Sequence, residues 1–292
     1  MTYDIFLGDR TFSSWSMRGW LMLRAFGIPY NPHMVGLYDG TMAEDLADLA
    51  PARLVPVMRT PEGHVLQDTL AMAETLHEWH PEAGLYPADA GQRAFARWIV
   101  AEMHSGFTAL RSACPMNLAH AWEGFDVSAE VKADLERIDQ LWATARDMAA
   151  PGPWLFGAYT VADAFYAPVA ARVAGYGLPV SAAAQTYVHT HLADPIFRQW
   201  RAMGLTKSYD PMPYRMDAVQ TPWPGPTRLP ARPVDADAAG RSENSICPYS
   251  GKDVTHFLEL DGRIFGFCNA FCRDKTVHDP EAWDKFMAIY QS

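Results

Sequence analysis

An α/β unit, then an all-helical unit, then a small cysteine-rich tail is the architecture the sequence predicts. Three observations predict it. Strand and helix patterns alternate over about the first eighty residues. From about residue 89 to 203 strand patterns stop and long helical periods take over. Three of the four cysteines fall in about the last fifty residues.

The chain has 292 residues, of which 49% are hydrophobic and 20% charged. That is the balance of a globular protein, and the length suits about two domains at roughly 100–200 residues each. A net charge of -10 repels phosphate backbones, and no local basic patch offsets it, so nucleic acid is excluded as a partner. Four cysteines are too few for a disulfide scaffold. No apolar run reaches the roughly 18 residues of a membrane span, and the opening residues lack a basic stretch and a long apolar stretch. The expectation is a cytoplasmic protein with reduced thiols and no membrane partner.

Residues 3–7 are a short apolar run that suits a buried strand. Residues 16–26 place Met17, Trp20, Leu21 and Arg24 at helical spacing, and Gly27 stops the helix. A second strand is expected at 31–35 and a helix at 41–49 with Thr41 as N-cap. Strands at 55–59 and 64–66 flank Thr60-Pro61-Glu62-Gly63, a hairpin turn, and a helix over 69–79 ends before Pro81. The order is β-α-β-α-β-β-α. Helices follow over 92–110, 129–148, 161–176, 182–192 and 195–203. Thr160 and Asp163 form a capping box at the head of the third. Seven prolines between 211 and 233 lie in a stretch without apolar period, which reads as a stiff linker or a strap over the surface. The expected domains are 1–82, 89–205, a linker over 206–245, and a module over 246–292.

Four motifs on the first two units point further. Phe12-Ser13-Ser14-Trp15-Ser16-Met17-Arg18 joins the first strand to the first helix, Leu54-Val55-Pro56-Val57 opens a strand, Leu66-Gln67-Asp68-Thr69 leads into a helix, and the Thr160/Asp163 box caps another. In this order they make residues 1–205 resemble the glutathione S-transferase superfamily. The first motif is similar to the Ser-Ser-Cys-x-x-Arg motif of the zeta class, with Trp15 where that class has cysteine. The resemblance implies a thioredoxin-like N-terminal domain, a helical-bundle C-terminal domain, a cis Pro56, glutathione as co-substrate, a small-molecule electrophile and a homodimer.

The chemistry follows from the residues. A free thiol ionises near pH 8.5, so little thiolate exists at neutral pH. A hydroxyl donating to the sulfur, together with the positive end of a helix, stabilises the anion. The resemblance assigns that catalytic role to Ser13, with Ser14 and Ser16 as fallbacks. The other reading of all three is a helix cap. With a cis bond to Pro56, Val55 is positioned to pair its main chain with an extended tripeptide; the other reading is an ordinary trans proline at a strand start. Asp68 suits the γ-glutamyl ammonium, and Thr69 with the helix amides suits its carboxylate; the other reading is a plain helix N-cap. The zeta class has Gln where Leu54 stands. Its neighbour Arg53 is either a charge for the glycyl carboxylate or a solvent-exposed residue. On the expected helix over 92–110, Met103, His104 and Phe107 share one broad face, and Arg111, just past its end, continues that face at i+8. His104 and Arg111 either line a pocket, with Arg111 on an acidic substrate, or bond between helices. The pairs His77/His80 and His189/His191 have no third ligand nearby and read as surface residues, and Cys114 reads as a buried thiol.

In the tail, Cys247, Cys268 and Cys272 have the spacing Cys-x20-Cys-x3-Cys around an Asp261-Gly262 hairpin. A knuckle, a hairpin and a helix N-terminus that bring three thiolates together is how zinc staples a unit with a small core. With Cys247-Pro248, Asp261-Gly262 and Asp279-Pro280, the segment resembles the TRASH/YHS-like metal-binding modules. The implied ion is zinc, or copper(I), which three soft thiolates also suit; the other reading is three packed cysteines with no metal. Ser250 stands where many knuckles have a second cysteine, so the fourth ligand is left to His256, His278 or a water. Two functions therefore compete: a glutathione-dependent transferase or isomerase, or a non-catalytic scaffold that senses metal. An open cleft at Ser13 favours the first and a filled cleft the second.

Overall fold

A computed structural model describes residues 1–209 and 211–292; residue 210, inside the expected linker, lies outside the described residues. The chain divides into two compact units, one of residues 1–192 and 210–224 and the other of 193–209 and 225–292.

The first unit opens as expected. β1 (Tyr3–Leu7) pairs parallel with β2 (Tyr30–Met34) and antiparallel with β3 (Val57–Arg59), which pairs antiparallel with β4 (Val65–Gln67). The sheet order β2-β1-β3-β4, with α1 (Ser14–Ala25) and α3 (Thr69–Trp79), is a thioredoxin-like layer. Alternate residues of β1 (Tyr3, Ile5 and Leu7) are fully buried, because period-two burial lets one strand face the core. The hairpin turn forms as read: Thr60 donates its amide to His64 O at 2.9 Å, and Gly63 donates to Thr60 O at 3.0 Å with φ +92°. The helix expected over 41–49 is shorter, α2 (Met42–Asp45) followed by a turn of 3₁₀ helix at Ala47–Leu49.

The helical part holds α4 (Ala90–Ser105), α5 (Thr108–Ala113), α6 (Ala129–Met148), α7 (Val161–Tyr176) and α8 (Ala182–Ala193). α7 is buried along nearly its whole length, so its apolar residues surround it rather than form a stripe. Its capping box is present. Asp163 accepts from Thr160 N at 2.8 Å and Thr160 Oγ1 at 3.0 Å, and also from Leu155 N at 3.1 Å and the Tyr187 hydroxyl at 2.8 Å. The continuous helix expected over 92–110 is corrected. It breaks at Gly106, and Phe107 takes a left-handed φ of 55°. The physical reason is tertiary: the break falls at a glycine, where the conformation leaves no room for a Cβ, and the Asp134 carboxylate on α6 accepts Leu110 N at 2.9 Å, starting a second helix. His191 also differs from its surface reading. It is 1% exposed and packs edge-on to Tyr187 and Trp154.

The proline-rich segment is more than a linker. Within the first unit, β6 (Val219–Thr221) pairs with β5 (Ala121–Glu123). Within the second, β7 (Arg232–Val234) extends the hairpin of β8 (His256–Leu260) and β9 (Arg263–Phe267). Asp261 and Gly262 both have positive φ, as the tight hairpin requires. α10 (Ala270–His278) is capped by Asn269, which accepts Cys272 N at 2.8 Å, and α11 (Asp284–Tyr290) closes the chain. The helix α9 (Pro195–Gly204), expected within the domain over 89–205, belongs to this second unit. Arg198 holds Asp279 through two hydrogen bonds at 2.7 and 2.9 Å, Gln199 donates to Ala282 O at 2.7 Å, and Ala202 joins the core of Leu258, Leu260, Phe265, Phe267 and Phe286. A module of under fifty residues buries too little by itself, and α9 supplies the missing cover.

Candidate active site

A cavity of about 730 Å³ opens in the first unit. One wall comes from the thioredoxin-like layer. The loop before α1 is ordered by Asp9, whose carboxylate accepts Thr11 N at 2.7 Å and Phe12 N at 3.0 Å. Ser13 is the N-cap of α1. Its Oγ accepts Ser16 N at 3.2 Å and donates to Ser16 Oγ at 3.0 Å, and Ser16 Oγ accepts Gly8 N at 2.9 Å. Ser13 lines the cavity, but it is 5% exposed and its hydroxyl is engaged in the cap. Ser14, the first residue of α1, also lines the cavity, is half-buried and has no side-chain hydrogen bond among the described residues. The first turn of α1 carries no acidic residue, so its free amides and positive dipole end face no carboxylate of their own helix.

Val55 lines the cavity ahead of a cis peptide bond to Pro56. Asp68, with φ 83°, caps α3 through Oδ1, which accepts Leu70 N at 2.8 Å. Thr69 is fully buried, and its Oγ1 has no hydrogen-bond partner among the described residues although the residue lines the cavity. An unpartnered buried hydroxyl at a helix N-terminus is the kind of group a ligand carboxylate satisfies. Arg53 does not join the site. It is exposed and outside the lining, and its amide, with that of Leu54, donates to Gln67 Oε1 at 2.6 and 2.9 Å. Gln67 and Leu54 line the cavity instead.

The opposite wall is helical. His104 and Arg111 both reach the cavity, as one of their two expected readings required. His104 Nε2 lies 3.2 Å from Asp68 Oδ2, and burial holds its pKa below the ordinary histidine value, with Asp68 acting in the opposite direction. Arg111 Nη1 donates to His104 O and Gly106 O, both at 3.3 Å, so it spans the break between α4 and α5. Arg172 of α7 joins it, donating to Cys114 O at 2.7 Å and Pro168 O at 3.2 Å. Burial and the neighbouring Arg111 lower Arg172 to about 10. Neither guanidinium has an ion-pair partner among the described residues.

Two contributors escaped the sequence. Tyr214, from the proline-rich segment, packs on Phe12 and Tyr38 at centroid distances of 5.0 and 5.5 Å and walls one side of the cavity. No periodicity marks such a residue. Arg172 lies on the most buried helix, where a charged residue among Val169, Ala170, Ala171 and Val173 was the available signal.

The second unit brings Cys247, Cys268 and Cys272 together, their Sγ atoms all within 4.8 Å of one another. The Cys268–Cys272 separation is 3.9 Å, and Cys268 Sγ accepts from Ser250 Oγ at 3.1 Å and Asn269 Nδ2 at 3.4 Å. Neither His256 nor His278 completes the group among the described residues. Burial raises the Cys247 thiol, but the amides of Cys268, Tyr249 and Ser250 outweigh it and leave the pKa lowered to about 7. Burial drives Cys272 up to about 12, against the pull of Lys275. The Lys275 ammonium lies 3.7 and 3.8 Å from the ring centroids of Tyr249 and Trp283. Cys114, in the first unit, is fully buried, and burial raises it to about 12.

Residues 12–79 match the family described as "Glutathione S-transferase, N-terminal domain". A probable maleylacetoacetate isomerase of Caenorhabditis elegans is 33% identical over 103 residues, 35% of this chain and 47% of that protein. The maleylacetoacetate isomerase of Dictyostelium discoideum is 26% identical over 118 residues, 40% of this chain and 53% of that protein. The matches thus span about half the length of these curated relatives. Among solved structures, a glutathione transferase homologue from Burkholderia gl BGR1 with bound glutathione superposes with a TM-score of 0.53 at 22% identity, over 71% of this chain and all of that one. The fold is therefore the glutathione-transferase-like pairing of a thioredoxin-like domain with a helical domain. No helix among the described residues is long and apolar enough to cross a membrane.

Proposed function

We propose that the first unit binds glutathione and directs its thiolate at a small electrophile carrying a carboxylate, as a transferase or an isomerase. The observation that carries this reading is one cavity with complementary walls. Ser14 and the head of α1, Val55, and Asp68 with Thr69 stand on one side, and Arg111 and Arg172 on the other. The γ-glutamyl ammonium goes to Asp68, its carboxylate to Thr69 Oγ1 and the α3 amides, and the cysteinyl main chain to Val55. The sulfur then lies at the head of α1, where a donated hydroxyl and the helix dipole favour the anion. Ser14 supplies that hydroxyl, and Ser13 shapes the turn that presents it. In a transfer, the sulfur bonds to the electrophilic carbon as the bond from that carbon to its leaving group breaks and the leaving group departs with the electron pair, while Arg111 and Arg172 hold the carboxylate. In an isomerisation, sulfur adds to one alkene carbon, the remaining single bond rotates, and the thiolate leaves again. Calorimetric titration with glutathione tests the reading: micromolar-to-millimolar binding supports it, and no heat with wild-type protein removes it. A homodimer in a reducing compartment such as the cytoplasm, where free thiols persist, completes the proposal. Light scattering that gives the mass of one chain removes the dimer.

A second role rests on a separate observation, the convergence of three sulfurs in the second unit. A Zn–S distance of about 2.3 Å places tetrahedral thiolates about 3.8 Å apart, and the Cys268–Cys272 separation of 3.9 Å fits. Cys247, Cys268 and Cys272 would hold zinc or copper(I), with Ser250 and Asn269 donating to the Cys268 sulfur. The ion would cross-link β9, α10 and the knuckle at Cys247. Elemental analysis of protein purified without chelator tests it.

A further inference from the structure

We propose that Trp15 sets how many negative charges the second substrate carries, by standing between the cavity and the buried guanidinium of Arg18. The inference rests on the glutathione reading and deepens it. Arg18 lies one turn beyond Ser14 on α1 and is 1% exposed. Its Nε and Nη1 have no hydrogen-bond partner, and it has no ion pair among the described residues. A buried unpaired cation is costly, so something must compensate it. Two aromatic rings do so in part: the guanidinium carbon lies 4.7 Å from the Trp15 ring centroid and 5.2 Å from that of Phe165.

Trp15 lines the cavity, whereas Arg18 does not. The indole is held from a second side, because the Arg111 guanidinium carbon lies 5.0 Å from the same ring and His104 packs edge-on to it at 5.2 Å. The indole therefore separates a third cation from the two that reach the cavity, Arg111 and Arg172. Burial, and then those two like charges, lower Arg18 to about 9, with Tyr166 and Asp68 acting in the opposite direction. With the indole in place, a bound carboxylate meets Arg111 and Arg172, and a second carboxylate on the same molecule finds no further donor. Without the indole, Arg18 supplies an unused fork of donors at the end of the cavity.

The test uses two probes of the same carbon skeleton, succinate with two charges and succinamate with one. Each is titrated by calorimetry into protein saturated with S-methylglutathione, whose blocked sulfur prevents reaction. Wild-type protein is expected to bind succinamate at least as tightly as succinate. Trp15→Ala is expected to shift the affinity ratio toward succinate by tenfold or more. Trp15→Phe, which keeps a ring over Arg18, is expected to keep the wild-type ratio, and adding Arg18→Met to Trp15→Ala is expected to restore it. An unchanged ratio in Trp15→Ala, or no succinate binding by that variant, overturns the inference. Should Trp15→Ala fail to fold, Trp15→Leu takes its place with the same criterion. Failure of wild-type protein to bind S-methylglutathione instead overturns the underlying reading, so the two failures are told apart.

Discussion

The Asp68 carboxylate joins two layers of the first unit: Oδ1 caps α3 on Leu70 N at 2.8 Å, while Oδ2 lies 3.2 Å from Nε2 of His104 on α4. Burial holds the His104 pKa below the ordinary histidine value, against the pull of Asp68. One carboxylate is thus oriented by a helix from each layer. Asp68→Ala is expected to weaken glutathione binding about tenfold, the scale of a lost charged hydrogen bond. It should also cost about 1 kcal/mol of stability through the lost cap. Calorimetry and thermal unfolding on the same sample separate the two effects, and unchanged glutathione affinity would place the ammonium elsewhere.

In the proposed site Ser13 caps α1 and Ser14 faces the cavity, so their substitutions should separate. Ser14→Ala is expected to raise the thiol pKa of bound glutathione by about one to two units, since a hydrogen bond to the anion is lost. Ser13→Ala is expected to cost about 1 kcal/mol of stability and to move the thiol less. Thiolate absorbance against pH reads the first effect and chemical unfolding the second. A larger thiol shift in Ser13→Ala would return the catalytic role to Ser13.

For the three cysteines the expected result is one equivalent of a thiophilic ion per chain, lost in Cys268→Ser. Removal by chelator should lower the unfolding temperature of the second unit and leave glutathione binding intact. Protein that carries no metal by elemental analysis, and takes up neither zinc nor copper(I) in titration, would reduce the cluster to packing.

His191 predicts a pH dependence of stability. Burial lowers it to about 3 in the folded chain, against about 6.5 unfolded. The unfolded state therefore binds the extra proton between those values. Stability from this group is complete above about pH 6.5 and falls by about 1.4 kcal/mol per pH unit as the pH drops toward 3. His191→Leu is expected to flatten the acid limb of unfolding free energy against pH by about one proton. An unaltered slope would show that His191 remains neutral in the unfolded state or gains access to water in the folded one.

Much of this protein is local and was readable in order along the chain. The strand at Tyr3–Leu7, the hairpin at Thr60–Gly63, α6, α7 with its Thr160/Asp163 box, and the Asp261-Gly262 turn each follow from residues within a few positions of one another. Ser13, Val55, Asp68 and Thr69, which the family resemblance named, lie at element ends and line the cavity. Arg53 was not readable, because whether a long side chain turns inward is set by the neighbouring Gln67, fourteen residues away, which holds the loop.

The sequence by itself determined the alternation of elements, the caps and the turns, because propensity, capping and φ preferences act over a handful of residues. Tertiary structure alone decided where α4 breaks, that α9 completes the core of the second unit, that Tyr214 walls the cavity, and that Arg111 and Arg172 come near Arg18. Each of these depends on burial and on charges from distant positions. A guanidinium on α1 gains its meaning only when α5 and α7 bring two more beside it, and linear spacing carries no record of that meeting.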